Sequence, residues 1–181
     1  QVAAFNDDKD IGFVFGKALV ISDNGKPLFE IPKHSKVQLL TFDNLLLENF
    51  VPALSAMCRR SALEAVGLYD LNSKIEDWDM WLRISARYKF RYVNEVLGFY
   101  RQHGSQSSKN VAVMLEAERY ILEKYKDKPS FGKAYENHLL RGLEGYSKND
   151  KKKAIRISIA NWRLFYKKRY LKSIAKLILK W

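Results

Sequence analysis

With 181 residues, 47% hydrophobic and 13% aromatic, the chain has enough apolar material for one ordinary domain, or a compact domain with an appended helical element, and this excludes a disordered polymer. Its single cysteine, Cys58, excludes an internal disulfide framework and a multi-cysteine zinc site, so a reducing compartment is the simpler assumption. The net charge of +12 is unevenly placed, since residues 148–181 hold twelve Lys or Arg against one acid, Asp150, whereas residues 1–147 hold twenty bases and nineteen acids.

In chain order, the β-branched and aromatic run over 11–21 predicts a strand, Asp23-Asn24-Gly25-Lys26 a turn, and residues 28–31 a second short strand. Apolar residues at 39, 42, 45, 46 and 50 predict a helix. "VPALSAMCRR" reads as extended, and a short helix from Ser61 to Val66 follows that Gly67 stops. Ser73-Lys74-Ile75-Glu76 fits a capping box, in which Ser and a Glu three residues later satisfy each other's backbone donors; Trp78, Trp81, Leu82 and Ser85 then share one helix face. "FRYV" and "VLGFYRQ" read as two short strands separated by Asn94-Glu95. From about Asn110 the apolar spacing is helical almost to the end, broken near Lys128-Pro129 and Asn149-Asp150. The result is an α/β portion to about residue 108 and an all-helical portion over 109–181. Within the latter, residues 134–165 resemble a single helical-repeat hairpin turning at Lys148-Asn149-Asp150, which has to pack on something else to bury its faces.

The acidic start of "KIEDWDMWLRI" allows two readings. Carboxylates in a first helical turn are stabilised by free backbone N–H groups and the macrodipole, by about 0.3–1 kcal/mol each, which is a purely structural reason for Glu76, Asp77 and Asp79. The other reading places a carboxylate at the mouth of a site, where it takes a proton. Asp8-Lys9-Asp10 and Asp77-Trp78-Asp79 match the letters of a DxD metal motif, but neither ends an apolar strand.

Five pieces in order, the extended stretch ending in Arg59-Arg60-Ser61, the "VGLYD" turn (Val66 to Asp70), the Glu76-Asp77 pair before a Trp-rich helix, the "YRQHGSQS" loop (Tyr100 to Ser107) and the upstream "DIGFVFGKALVISDNGKP", resemble the acceptor-side half of the family-2 glycosyltransferase domain, a GT-A fold, over about residues 5–108. The resemblance implies a partial GT-A sheet with helices (α/β), then an all-α region. It implies that Asp77 accepts the proton of an acceptor hydroxyl attacking the anomeric carbon of a nucleotide sugar, with inversion, and that Glu76 holds and orients. It places Trp78, Arg60 and Arg101 on the substrates, the guanidinium of Arg101 matching a diphosphate, although Arg59 and Arg60 read equally as surface charges flanking a helix. His103 is the implied ligand of a divalent metal, Mg or Mn, in a full-length parent, against the alternative of a solvated loop histidine.

The family's nucleotide-binding half would lie upstream of Gln1, so the chain reads as an excised piece that by itself is inactive and holds no metal. The processive Gln-x-x-Arg-Trp motif is missing from these residues, which favours transfer of a single sugar. The partners implied are a nucleotide-sugar donor and a glycan or lipid-linked acceptor, in bacterial surface polysaccharide or glycolipid biosynthesis, at a cytoplasmic location that includes the inner face of the cell membrane.

Lys168, Lys172, Lys176 and Lys180 fall four apart, and Leu171, Ile174, Ile178 and Trp181 form an apolar stripe, a pattern suited to a helix lying on an anionic membrane. A packed terminal helix with solvated lysines is the alternative. Nucleic acid is not expected, because the aromatics here occupy core-like helical positions rather than a stacking platform. No run of about 18 uncharged apolar residues predicts a spanning helix. The rival to the transferase reading is a helical peripheral-membrane or protein-interaction module whose Glu-Asp pair only caps a helix.

Overall fold

The computed structural model describes residues 1–5, 8–33, 40–104 and 106–179, and the chain divides into two units, Gln1–Gln106 and Ser107–Trp181. The first unit is mixed α/β. Its spine is β1 (Ile11–Ile21), a nearly continuous buried run, as expected of β-branched and aromatic residues covered on both faces. One edge of β1 pairs in parallel with β4 (Lys89–Arg101). The other edge is shared, antiparallel, between β3 (Ala56–Cys58) opposite Phe13–Phe15 and β2 (Pro27–Ile31) opposite Ala18–Ile21. The outer edge of β4 pairs with no strand among the described residues.

Between β1 and β2 the predicted turn forms, with Gly25 at φ 83° and Ser22 bonded back to Lys26. β4 is one strand where two are expected. Its register on β1 steps from Gly16 opposite Val93 to Lys17 opposite Val96, so Asn94 and Glu95 form a bulge inside a continuous strand. A glycine is needed facing that bulge, because a Cβ on residue 16 would lie 2.9 Å from the Glu95 carbonyl oxygen and 2.5 Å from Leu97 Cδ1.

α1 (Phe42–Leu47) starts at Thr41, whose Oγ1 accepts from the Asn44 N–H at 3.2 Å. It stops short of the helix expected up to residue 50, since Glu48 is already extended (φ −164°, ψ 133°). Beyond it Phe50 is drawn into the sheet core, 6.1 Å from the Phe15 ring, and tertiary burial overrides the local periodicity. Leu39, at the start of that expected helix, lies outside the described residues. The run expected to be extended from Val51 contains a tight turn at Ala53–Ser55 before the three residues of β3.

α2 (Arg60–Val66) ends at Gly67, which adopts φ 82°. α3 (Glu76–Ser85) buries Trp78, Asp79, Met80, Trp81, Leu82 and Ile84. Beneath it Phe13 stacks on Trp81 at 5.2 Å and on Phe90 at 4.9 Å, giving the unit an aromatic centre. Arg83 ties this helix to the preceding turn: Nε donates to Asp79 at 2.8 Å, Nη1 to the Val66 and Gly67 carbonyls, and Nη2 to the Leu68 carbonyl. Arg59 does similar work at the other end, donating to the Ile11 and Asp8 carbonyls with its guanidinium 4.7 Å over the Phe5 ring.

The second unit is all-α: α4 (Val111–Glu123), α5 (Phe131–Asn149), α6 (Lys151–Ala160) and α7 (Lys168–Leu179), with a 3-10 turn at Trp162–Tyr166 between the last two. The hairpin expected at 148–150 turns on Asp150 alone, which closes α5 and caps α6 by accepting from the Lys153 N–H at 3.1 Å. α4, α6 and α7 all pack on α5, supplying the partners that an isolated hairpin lacks. Leu140, Leu143, Ala154, Leu164, Tyr170 and Leu177 form the core, and Glu118 of α4 binds His138 and Arg141 of α5, each at 3.0 Å. The predicted apolar stripe of α7 divides: Ile174 packs on this core, whereas Leu171 and Ile178 stay exposed. Lys180 and Trp181 lie outside the described residues. No described helix is long and apolar enough to cross a membrane.

Candidate functional site

The first turn of α3 opens onto a groove of about 590 Å³ lined by Ala53, Ala56, Cys58, Leu63, Tyr69, Glu76, Asp77 and Trp81. Three segments build it: the stretch that enters β3, the α2 with its Gly67 turn, and α3. Asp77 is a half-buried member of this wall.

The expected capping box does not form. The helix begins at Glu76 with Ile75 in the cap position, so Glu76 is the first helical residue rather than the third, where a capping acid has to sit. Ser73 instead accepts, at 3.4 Å, from the N–H of Ile75. Asp77 does the local capping itself, Oδ1 accepting from the Trp78 N–H at 2.7 Å while Oδ2 faces the side-chain amide of Asn49 at 3.5 Å. Burial pushes the Asp77 carboxyl above its ordinary value; the Trp78 N–H pulls the other way, the neighbouring charge of Glu76 pushes further up, and the Asn49 amide pulls down, leaving it raised. No lysine or arginine pairs with Asp77 among the described residues. Glu76 is exposed at the rim.

Two neighbours share this environment. Burial pushes the Tyr69 hydroxyl up, helped by the negative charges beside it. Burial alone pushes the Cys58 thiol up to about 12, so at pH 8 only about one thiol in ten thousand is ionised. Alkylation of Cys58 by iodoacetamide at pH 8 is therefore expected to be at least about a hundredfold slower in the folded chain than in urea, followed by intact mass; equal rates refute the assignment.

Trp78 is not a substrate contact. It is 2% exposed and its indole N–H donates to the Leu45 carbonyl at 2.8 Å, which fixes it in the core. Trp81 lines the groove in its place, four residues and one helical turn beyond Asp77, and its buried Nε1 has no hydrogen-bond partner among the described residues. The spacing from Asp77 carries that signal, because positions i and i+4 share a face. Asn49 leaves no sequence signal, since the helix expected to run through residue 50 absorbs it.

Arg60 is a surface charge. It forms an exposed pair with Glu64 one turn on, whereas Arg59 points inward. Arg101 holds the β1–β2 turn, Nη1 donating to the Asp23 carbonyl at 2.6 Å. It stands opposite Ile21, six residues along β1 from Phe15 at the level of the groove, or about 20 Å. His103 lies two residues further on, exposed and likewise outside the groove lining. The DxD-like letters lead nowhere together, because Asp79 is fully buried against Arg83 and Asp10 pairs with Lys89. Among the described residues no three or more His, Cys, Asp or Glu converge.

In chemical terms the groove offers one carboxylate of raised basicity, with Glu76 at the rim and otherwise mostly apolar walls. Compared with known proteins, the chain matches no family model, and no curated protein matches it.

Proposed function

We propose that the α/β unit is the acceptor-side part of an inverting, non-processive glycosyltransferase of the GT-A type, acting on a nucleoside-diphosphate sugar and a hydroxyl of a glycan or lipid-linked acceptor, at the cytoplasmic face of the cell. The observation that carries this reading is Asp77: a carboxylate with raised basicity, held by two N–H groups and paired with no cation among the described residues, in an open groove.

The chemistry needs such a group. A sugar hydroxyl is a poor nucleophile, and a carboxylate within hydrogen-bond reach contributes about 10²–10⁴ in rate as general base. The acceptor oxygen forms the new bond to the anomeric carbon, the bond from that carbon to the diphosphate breaks with its electron pair leaving on the diphosphate, and the hydroxyl proton goes to Asp77. Because Trp78 N–H and Asn49 occupy defined positions on the carboxyl group, the base is oriented before substrate arrives. Glu76, beside it, raises its basicity electrostatically rather than by contact.

Replacement of Asp77 by asparagine tests the reading as a whole, a loss of transfer of about a hundredfold with melting retained supporting it.

A further inference from the structure

The 3-10 turn between α6 and α7 exposes three aromatic rings within five residues: Trp162 at 60%, Phe165 at 58% and Tyr166 at 60%. A folded chain in water gains nothing by displaying them. Leu164, between them, is the residue that anchors the turn in the core. Ile159, one turn upstream on α6, and Leu171 and Ile178 on α7 are also exposed, and the turn packs against α7. This apolar material is set among cations, with the Arg163 guanidinium 5.8 Å from the Trp162 ring and the Lys167 ammonium 4.8 Å from the Tyr166 ring.

Charge decides what such a surface meets. Residues 148–181 contain one acid, Asp150, against twelve bases. The acids of α5 that reach this region are already taken, Glu136 by Lys167 at 3.1 Å and Glu144 by Arg169 at 2.8 Å. Lys152 and Arg156 on α6 and Lys168 and Lys172 on α7 stand exposed with no acid partner among the described residues. Two copies meeting here would bring two strongly positive tracts together, which disfavours a dimer. Nucleic acid asks for rings spaced along a groove, whereas these are gathered at one turn.

We infer that the Trp162–Tyr166 turn, with Ile159 and α7, docks on an anionic lipid bilayer, the rings entering the interface and the lysines meeting headgroup phosphates. The anchor is thus the aromatic turn more than the stripe of the terminal helix, part of which is spent in the core. This inference concerns the helical unit only and does not rest on the transfer reading.

The test is co-sedimentation of the 181-residue chain with phosphatidylcholine vesicles containing roughly 30 mol% phosphatidylglycerol, and with pure phosphatidylcholine. Partitioning is expected on the anionic vesicles alone and to weaken in high salt. Trp162→Ser combined with Phe165→Ser is expected to lower it about tenfold or more, and Lys168→Gln and Lys172→Gln about fivefold each, all with unchanged melting because the side chains are exposed. No partitioning on anionic vesicles overturns the inference. So does equal partitioning by the double serine variant, or a dimer that the same variant dissolves in a chain that ignores vesicles.

Discussion

Asp77→Asn is expected to cut transfer by about a hundredfold or more while leaving the protein at least as stable as the parent. Asparagine keeps an oxygen that can accept from the Trp78 N–H, so the helix start is preserved. It loses the capacity to take up a proton and the second acceptor, which faces the Asn49 amide at a long 3.5 Å. The stability side follows from linkage. Burial raises the Asp77 pKa in the folded state, so between its unfolded and folded values the folded protein binds the extra proton and stability falls as pH rises. The native carboxylate is therefore a small burden above the ordinary aspartate range, and relieving it makes the Asn variant melt at or above the parent at pH 7. Below that range both forms are neutral and the difference closes.

The rate has the opposite dependence on pH. With Asp77 as the proposed base, kcat/KM is expected to fall on acidification through a pKa above the usual aspartate value. Transfer by the Asn variant within a few-fold of the parent, or a parent pH profile with no acid limb, would sink the assignment of the base. A large loss of rate accompanied by a large loss of melting temperature would instead make Asp77 a structural cap.

Arg83→Met is expected to cost about 3 kcal/mol or more, and roughly 10 °C or more in the melting of the first unit. One guanidinium pairs the fully buried carboxylate of Asp79 and closes the carbonyls of Val66, Gly67 and Leu68, so its removal strips the cation from a buried charge and frees the turn that carries Tyr69. Methionine keeps much of the aliphatic volume, which isolates the polar loss. Arg60→Met is the control. Its pair with Glu64 is also one helical turn apart but exposed, and its loss is expected to stay within about 0.5 kcal/mol. Comparable melting of the two variants, measured by circular dichroism, refutes the account of Arg83.

How far the sequence could be read depended on whether the deciding force was local. β1 and the stop at Gly67 were legible because a β-branched run and a glycine at positive φ act through their own backbone. β4 was read as two pieces because the bulge at Asn94-Glu95 is a property of its register against Gly16, a residue some eighty positions away. The end of α1 escaped for a related reason, since its periodicity continues but Phe50 has a better place against Phe15. In the groove, Asp77 could be singled out by its motif, but two tryptophans on the same helix compete for the apolar face. Which of them reaches the opening is decided by Leu45, whose carbonyl takes the indole of Trp78 and leaves Trp81 to the wall. Arg59 and Arg60 are likewise adjacent letters with opposite fates, the first turned in to the Asp8 and Ile11 carbonyls and the second out to solvent.

β4 spans thirteen residues, about 40 Å, and is paired along one side only among the described residues. A margin of that length is a template on which a foreign strand can be laid, guarded by the bulge at Asn94-Glu95 and by charges such as Arg91. Aggregation of the chain is therefore expected to rise with concentration and to start along this seam, and a short peptide able to pair with it is expected to suppress it.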